Sequence, residues 1–254
     1  MLLVLDVVAT HIIRTPAIGS LPFLRMSLGP ALIIFASLLL GPFYGAIVGG
    51  VGDLFGIFLF TGLEGQINFL ITIVYTLLGI LPWCLEKLTR RFRKYLQKPY
   101  FLFASMAILL VLLICLFYVF PSTKEYFANG FGELTTWLEP LILALTAFFD
   151  LACAFALFFT NQYFKKKKEQ YPELPSPYEV GLICLVVEVV LMIVLKPLAF
   201  YLFYNLLGDS VWPIGYGPLF SCMFVFSSLN ILINTFLTYW LLVFTRKYLI
   251  KNSD

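Results

Sequence analysis

Apolar residues in this chain fall into runs of about 20, separated by short polar stretches, the length that crosses a bilayer as a helix. Eight such runs are predicted as spans: Leu2 to about Leu21, Leu24 to Leu40, Phe43 to Phe60, Ile67 to Leu85, Phe101 to Phe120, Leu141 to Phe164, Val180 to Leu207 and Leu219 to Phe244. The first is the weakest, because Asp6, His11 and Arg14 interrupt it. The seventh is long and is interrupted at Lys196-Pro197. The expected fold is therefore all-α, a polytopic transmembrane helical bundle forming a single integral membrane domain over residues 1–254.

The polar stretches fix a topology. Thirteen of the seventeen basic residues lie in three segments: six from Lys87 to Lys98, four from Lys165 to Lys168, and Arg246, Lys247 and Lys251 at the C-terminus. Short loops rich in Lys and Arg stay in the cytoplasm. An even number of spans with both termini cytoplasmic follows, and eight helices satisfy every loop. Trp137 and Trp212 then fall in or near outer loops, and Trp83 and Trp240 near inner span ends, as interfacial anchors.

Composition agrees and removes whole classes of function. With 61% hydrophobic and 12% charged residues and a mean hydropathy of +0.95, the chain departs from soluble domains, which are about 25% charged. No separate soluble domain fits, and no cleavable signal is expected. Cys84, Cys115, Cys153, Cys184 and Cys222 stand singly in apolar runs, so neither a metal site nor a disulfide is indicated. There is no GxxxxGK[ST], HExxH or GxSxG, and the one histidine, His11, reads as an interfacial side chain. If ATP drives this protein, a partner hydrolyses it. No enzyme activity, cofactor or nucleic-acid partner is expected.

The third span carries a regular device. Gly41, Gly45, Gly49, Gly52 and Gly56 fall within roughly 80° of one another at about 100° per residue. Such small-xxx-small strips let helix backbones approach closely in a membrane. Two uses fit the strip: helix packing inside the bundle, or docking of a partner subunit. Asp53 sits just off the strip as a costly intramembrane charge.

Ionisable residues within spans mark function and require partners. Counting about 1.5 Å per residue puts Asp53, Asp150 and Glu188 near the midplane and Arg25 and Lys196 in the outer third. Arg25 and Asp53 are expected not to pair, since their depths differ by roughly 9 Å and helical side chains lean toward the N-terminus, apart from one another. Arg25 and Lys196 instead suit a carboxylate or phosphate ligand in an outer cavity, against the alternative of snorkelling to headgroups. Asn230 and Asn234, four apart on the last span with Ser227 a turn before, either bond a ligand or bridge helices. The loop Thr61-Gly-Leu-Glu-Gly-Gln-Ile-Asn68 is small and polar on the same outer side, which makes Glu64, Gln66 and Asn68 candidate ligand contacts.

The stretch LRMSLGPALIIFASLLLGPFYGAIVGGVGDLFGIFLF, from Leu24 to Phe60, resembles the N-terminal signature of substrate-binding S components of energy-coupling factor (ECF) transporters, closest to the folate-type branch. Arg25, Gly41, Pro42, Gly45, Asp53, Leu54 and Gly56 carry the match, which covers about a quarter of the chain, roughly Leu21 to Leu85. Asn234-Thr235 is also similar to an Asn-Thr of the family's late helices. The chain departs from the pattern at Gln66-Ile67-Asn68-Phe69, where the family has an aromatic-Pro-Gly segment. It departs again in the first span, where Ala9 stands without the alanine-spaced docking motif.

The resemblance implies a six-helix core with two extra helices, the fifth and sixth spans. It implies a bacterial cell-membrane protein that captures a folate-like or other small, anionic vitamin from outside. The bound vitamin would be closed in by the loops after the first and third spans. The implied partners are a membrane T component and two ATPase subunits. The midplane acids leave open a stand-alone proton-coupled secondary transporter, or a membrane-embedded lipid enzyme.

Overall fold

A chain in hydrocarbon has to satisfy its own backbone hydrogen bonds, and the described residues do so as helix, with no strand among them. The computed structural model describes residues 1–12, 28–61, 68–92, 175–207 and 230–245, with shorter helical pieces between 100 and 163, the longest being 154–163. Three helical segments are long and apolar enough to cross a membrane, Pro42–Leu59, Phe69–Arg91 and Pro177–Asn205, and Gly29–Leu40 and Asn230–Thr245 are shorter apolar helices. The protein is thus an all-helical bundle of membrane-spanning character.

Helix α1 (Leu2–Val7) continues into a wide π turn at Val8–Ile12. Helix α2 (Gly29–Leu40) stops at Gly41, whose φ of 97° is open to glycine and strained for other residues. The Gly41 amide donates to the Ser37 carbonyl at 3.0 Å, closing the end of α2. Pro42 then opens α3 (Pro42–Ala46), in a position where its missing N–H is not needed. A π stretch, Ile47–Val51, leads into α4 (Gly52–Thr61).

Helix α5 (Phe69–Arg91) is capped by Asn68, whose side chain accepts from the Leu70 and Ile71 amides. It runs beyond the predicted end at Leu85 because the basic run is itself helix-forming. Arg90 bonds Glu86 at 2.8 Å one turn back, and Lys87 lies 3.7 Å over the Trp83 ring. Helix α6 (Pro177–Val187) starts in a capping box. The Glu179 amide donates to the Ser176 hydroxyl at 3.2 Å, and the Ser176 amide donates to the Glu179 carboxylate at 2.8 Å.

The predicted interruption at Lys196-Pro197 is not a break. A π stretch, Glu188–Leu195, loosens the helix just before it, and α7 (Lys196–Leu202) begins there, so Pro197 sits where a first-turn proline is tolerated. A second π stretch, Phe203–Leu207, follows. Helix α8 (Asn230–Thr245) closes the described chain.

One core joins these elements. Ile33, Ile34 and Leu38 of α2, Val74 and Leu78 of α5, Ile183 and Val187 of α6 and Leu242 of α8 are buried together. Helix α5 is central, packing on α2, α3, α6 and α7. Helix α8 is tied in by the Thr238 hydroxyl, which donates to the Ala31 carbonyl of α2 at 3.1 Å. Among the cysteines, Cys184 is buried and Cys84 exposed, both as free thiols.

Candidate functional site

The glycine strip explains why polar groups meet inside this bundle. A Cβ at Gly45 would overlap the Gly79 carbonyl, one at Gly79 would overlap the Gly45 backbone, and one at Gly49 would overlap the Tyr75 carbonyl. The third span therefore lies backbone to backbone on α5. Gly52 faces a different neighbour, the Asp6 carboxylate of α1, and Gly29 of α2 leaves room for Thr10 on that same turn. Gly45, Gly49 and Gly52 are thus turned inward as packing surface. Gly56 is also buried, and Gly41 is the turn residue.

With the backbones this close, a polar node forms among four elements. Asp53 of α4 accepts a hydrogen bond from the Thr72 hydroxyl of α5 at 2.7 Å. Three residues on, Tyr75 accepts a long hydrogen bond from the Lys196 ammonium of α7 at 3.5 Å, and that ammonium lies 5.6 Å from the Tyr75 ring centroid. Lys196 is within electrostatic reach of Asp53, as Asp53 is of Asp6. Asp6, only 2% exposed, accepts from Thr10 at 3.3 Å. Each buried carboxylate thus has a hydroxyl facing it, Thr10 for Asp6 and Thr72 for Asp53, and Asp53 has the Lys196 ammonium within reach as well, which lowers the cost of burying charge.

A further buried acid lies at the contact with α8. Glu188, 1% exposed, accepts from the Asn234 amide of α8 at 3.3 Å. Cys184, Thr235 and Thr238 are buried in the same α6–α8 contact. Among the described residues no three His, Cys, Asp or Glu side chains gather as a metal site would require.

Of the residues singled out from sequence, Lys196 and Asp53 are brought together, although their predicted depths differed. Both meet α5, Asp53 at Thr72 and Lys196 at Tyr75 one turn on. Asn68 is an α5 cap, 7% exposed, with its Nδ2 amide lacking a partner among the described residues. Asn230 is half-buried at the start of α8, and it is Asn234 that bridges helices. Arg25, Glu64, Gln66, Asp150 and Ser227 lie outside the described residues, as does the His11 side chain.

Sequence reading missed Asp6, Thr72 and Tyr75 as members of the node. A signal was present: Asn68, Thr72, Tyr75 and Thr76 recur at helical spacing along one face of an apolar span. Asp6 and Thr10 repeat the pattern one turn apart in the first span. Compared with family models, with curated proteins and with solved structures, the chain finds no match in any of the three.

Proposed function

We propose that this protein is the substrate-binding S component of an ECF-type importer. It captures a small vitamin-like nutrient from outside a bacterial cell and hands it to a membrane T component with two ATPases. The observation that carries the reading is the matched stretch from Leu24 to Phe60. Its described part folds as the α2 to α4 hairpin, with Gly41-Pro42 at the turn and Gly45 and Gly49 laid on α5.

In this reading the chain performs no chemistry. The node at Asp53, Thr72, Tyr75 and Lys196 holds the third, fourth and seventh spans in register, so that ligand groups are presented from a fixed frame. Arg25, Glu64, Gln66 and Asn68 border the binding cavity on the outer side, with both termini in the cytoplasm and eight spans in all. Native mass spectrometry of the purified protein, alone and after co-expression with a T component and its ATPases, tests this. A bound small molecule and a four-subunit complex are expected; the absence of both contradicts the reading.

A second reading rests on the buried acids. Asp6, Asp53 and Glu188 inside one bundle suit a stand-alone proton-coupled carrier. Substrate uptake into proteoliposomes without any ATPase would favour it.

A further inference from the structure

Helix α5 (Phe69–Arg91) is long and apolar enough to cross a membrane. Its exposed apolar side chains Phe69, Ile73, Leu77 and Leu88 fall on one stripe roughly 100° wide, at about 100° per residue. With a rise of about 1.5 Å per residue that stripe is roughly 28 Å long, close to the thickness of the hydrocarbon core. Lys87 and Arg91, both exposed, lie on the same stripe at its last turn. The face that meets lipid tails therefore ends in two cations.

These cations lack acidic partners. The neighbouring acid, the buried Glu86, is taken by Arg90 at 2.8 Å on the flank of the stripe, and among the described residues no ion pair includes Lys87 or Arg91. From Glu86 to Lys98 the sequence sets six basic residues against that single acid. Nor does Lys87 escape to water. A lysine that snorkels at a helix end stretches its ammonium away from the hydrocarbon. Here Nζ is folded back and lies 3.7 Å over the ring of Trp83, one turn nearer the membrane centre. An ammonium held at the level of an interfacial indole has given up part of its hydration, and the opposite charge found at that depth in a bilayer is the lipid phosphate. Arg91, one turn further, adds a planar fork that suits phosphate oxygens. An acidic protein segment would approach from water, beyond Arg91, and would leave Lys87 turned away from it.

We infer that Trp83, Lys87 and Arg91 form a binding site for the phosphate headgroup of an anionic phospholipid, whose acyl chains lie along Leu88 and Leu77. The site needs only that α5 cross the membrane, and it holds whether or not the chain captures a nutrient.

Native mass spectrometry of the full-length protein in detergent, titrated with phosphatidylglycerol and with phosphatidylcholine, reads the headgroup preference. The native protein is expected to hold phosphatidylglycerol about tenfold more tightly, and Lys87→Gln combined with Arg91→Gln to bring the two lipids within about twofold at an unchanged melting temperature. Lys166→Gln combined with Lys167→Gln removes the same charge from another basic run and is expected to keep the preference. Loss of preference in both double variants overturns the site in favour of net charge alone, and native protein that shows no preference overturns it outright. Inorganic phosphate bound as tightly as phosphatidylglycerol, with the same dependence on Lys87 and Arg91, overturns the lipid in favour of a soluble anion. Trp83→Leu keeps both charges but lets Lys87 reach water, and is expected to lower the preference about threefold; an unchanged preference there contradicts the inference. Should the Lys87 and Arg91 double variant not fold, the two single variants decide, each expected to weaken phosphatidylglycerol about threefold. Binding unchanged in both overturns the inference.

Discussion

Thr72 donates a 2.7 Å hydrogen bond to Asp53 across two helices whose backbones touch at Gly49 and Tyr75. The bond and the glycine contact depend on each other. Without the glycines the hydroxyl would not reach, and without the hydroxyl the buried carboxylate would lose a hydrogen-bond donor and keep only the more distant Lys196 charge. Replacing Thr72 by Val is expected to destabilise the protein by about 1–3 kcal/mol, because it leaves the acceptor unpaired. Asp53→Asn partly relieves that loss, so a double-mutant cycle on thermal unfolding in detergent gives a coupling of about 0.5–2 kcal/mol. Additive losses would remove the bond from the account.

Gly45 and Gly79 are expected, with Gly49, to be the least tolerant positions of the third and fourth spans. A methyl at either meets main chain of the other helix, which cannot rotate aside. Gly45→Ala and Gly79→Ala should each cost about 1–3 kcal/mol. Gly41→Ala meets no neighbour and strains only its own φ of 97°, at about 1–2 kcal/mol. The discriminating measurement is helix spacing. Cysteine cross-linking between α3 and α5 should weaken in the Gly45 and Gly79 variants and stay native in the Gly41 variant.

Lys196 is held by the bundle as a counter-charge. Lys196→Met is expected to lower the melting temperature, and adding Asp53→Asn should restore part of the loss, because the carboxylate no longer lacks a cation. A lysine that merely reached for headgroups would give a small loss with no rescue. Thermal unfolding of the single and double variants in nanodiscs decides between them.

The start of α6 offers a local check. Ser176→Ala removes one half of a buried capping box and should cost about 1 kcal/mol, and Glu179→Gln, which retains an acceptor, should cost less. Hydrogen exchange at the first turn of α6 should rise in the alanine variant alone.

Much of the architecture was legible in the sequence because membrane helices are written in long apolar runs. The turn at Gly41-Pro42, the third and fourth spans and the glycine strip all follow from run length and small-residue spacing. The node was not legible as a unit. It assembles from residues on four elements, and spacing along one helix says nothing of which face meets which neighbour. Lys196 joins the node through Tyr75, a contact that counting along a single helix cannot supply. Asn68 was chosen as a ligand contact from the polarity of its loop, and its role as a cap emerged only with the helix boundary at Phe69.

Co-purification tests the central claim most directly. A tagged copy of the protein, expressed with the T component and the two ATPases of an ECF importer from the same source organism, should carry all three through affinity and size-exclusion steps as one complex. ATP-dependent uptake into proteoliposomes should then require every subunit. A protein that purifies alone and transports its substrate without the ATPases would contradict the account.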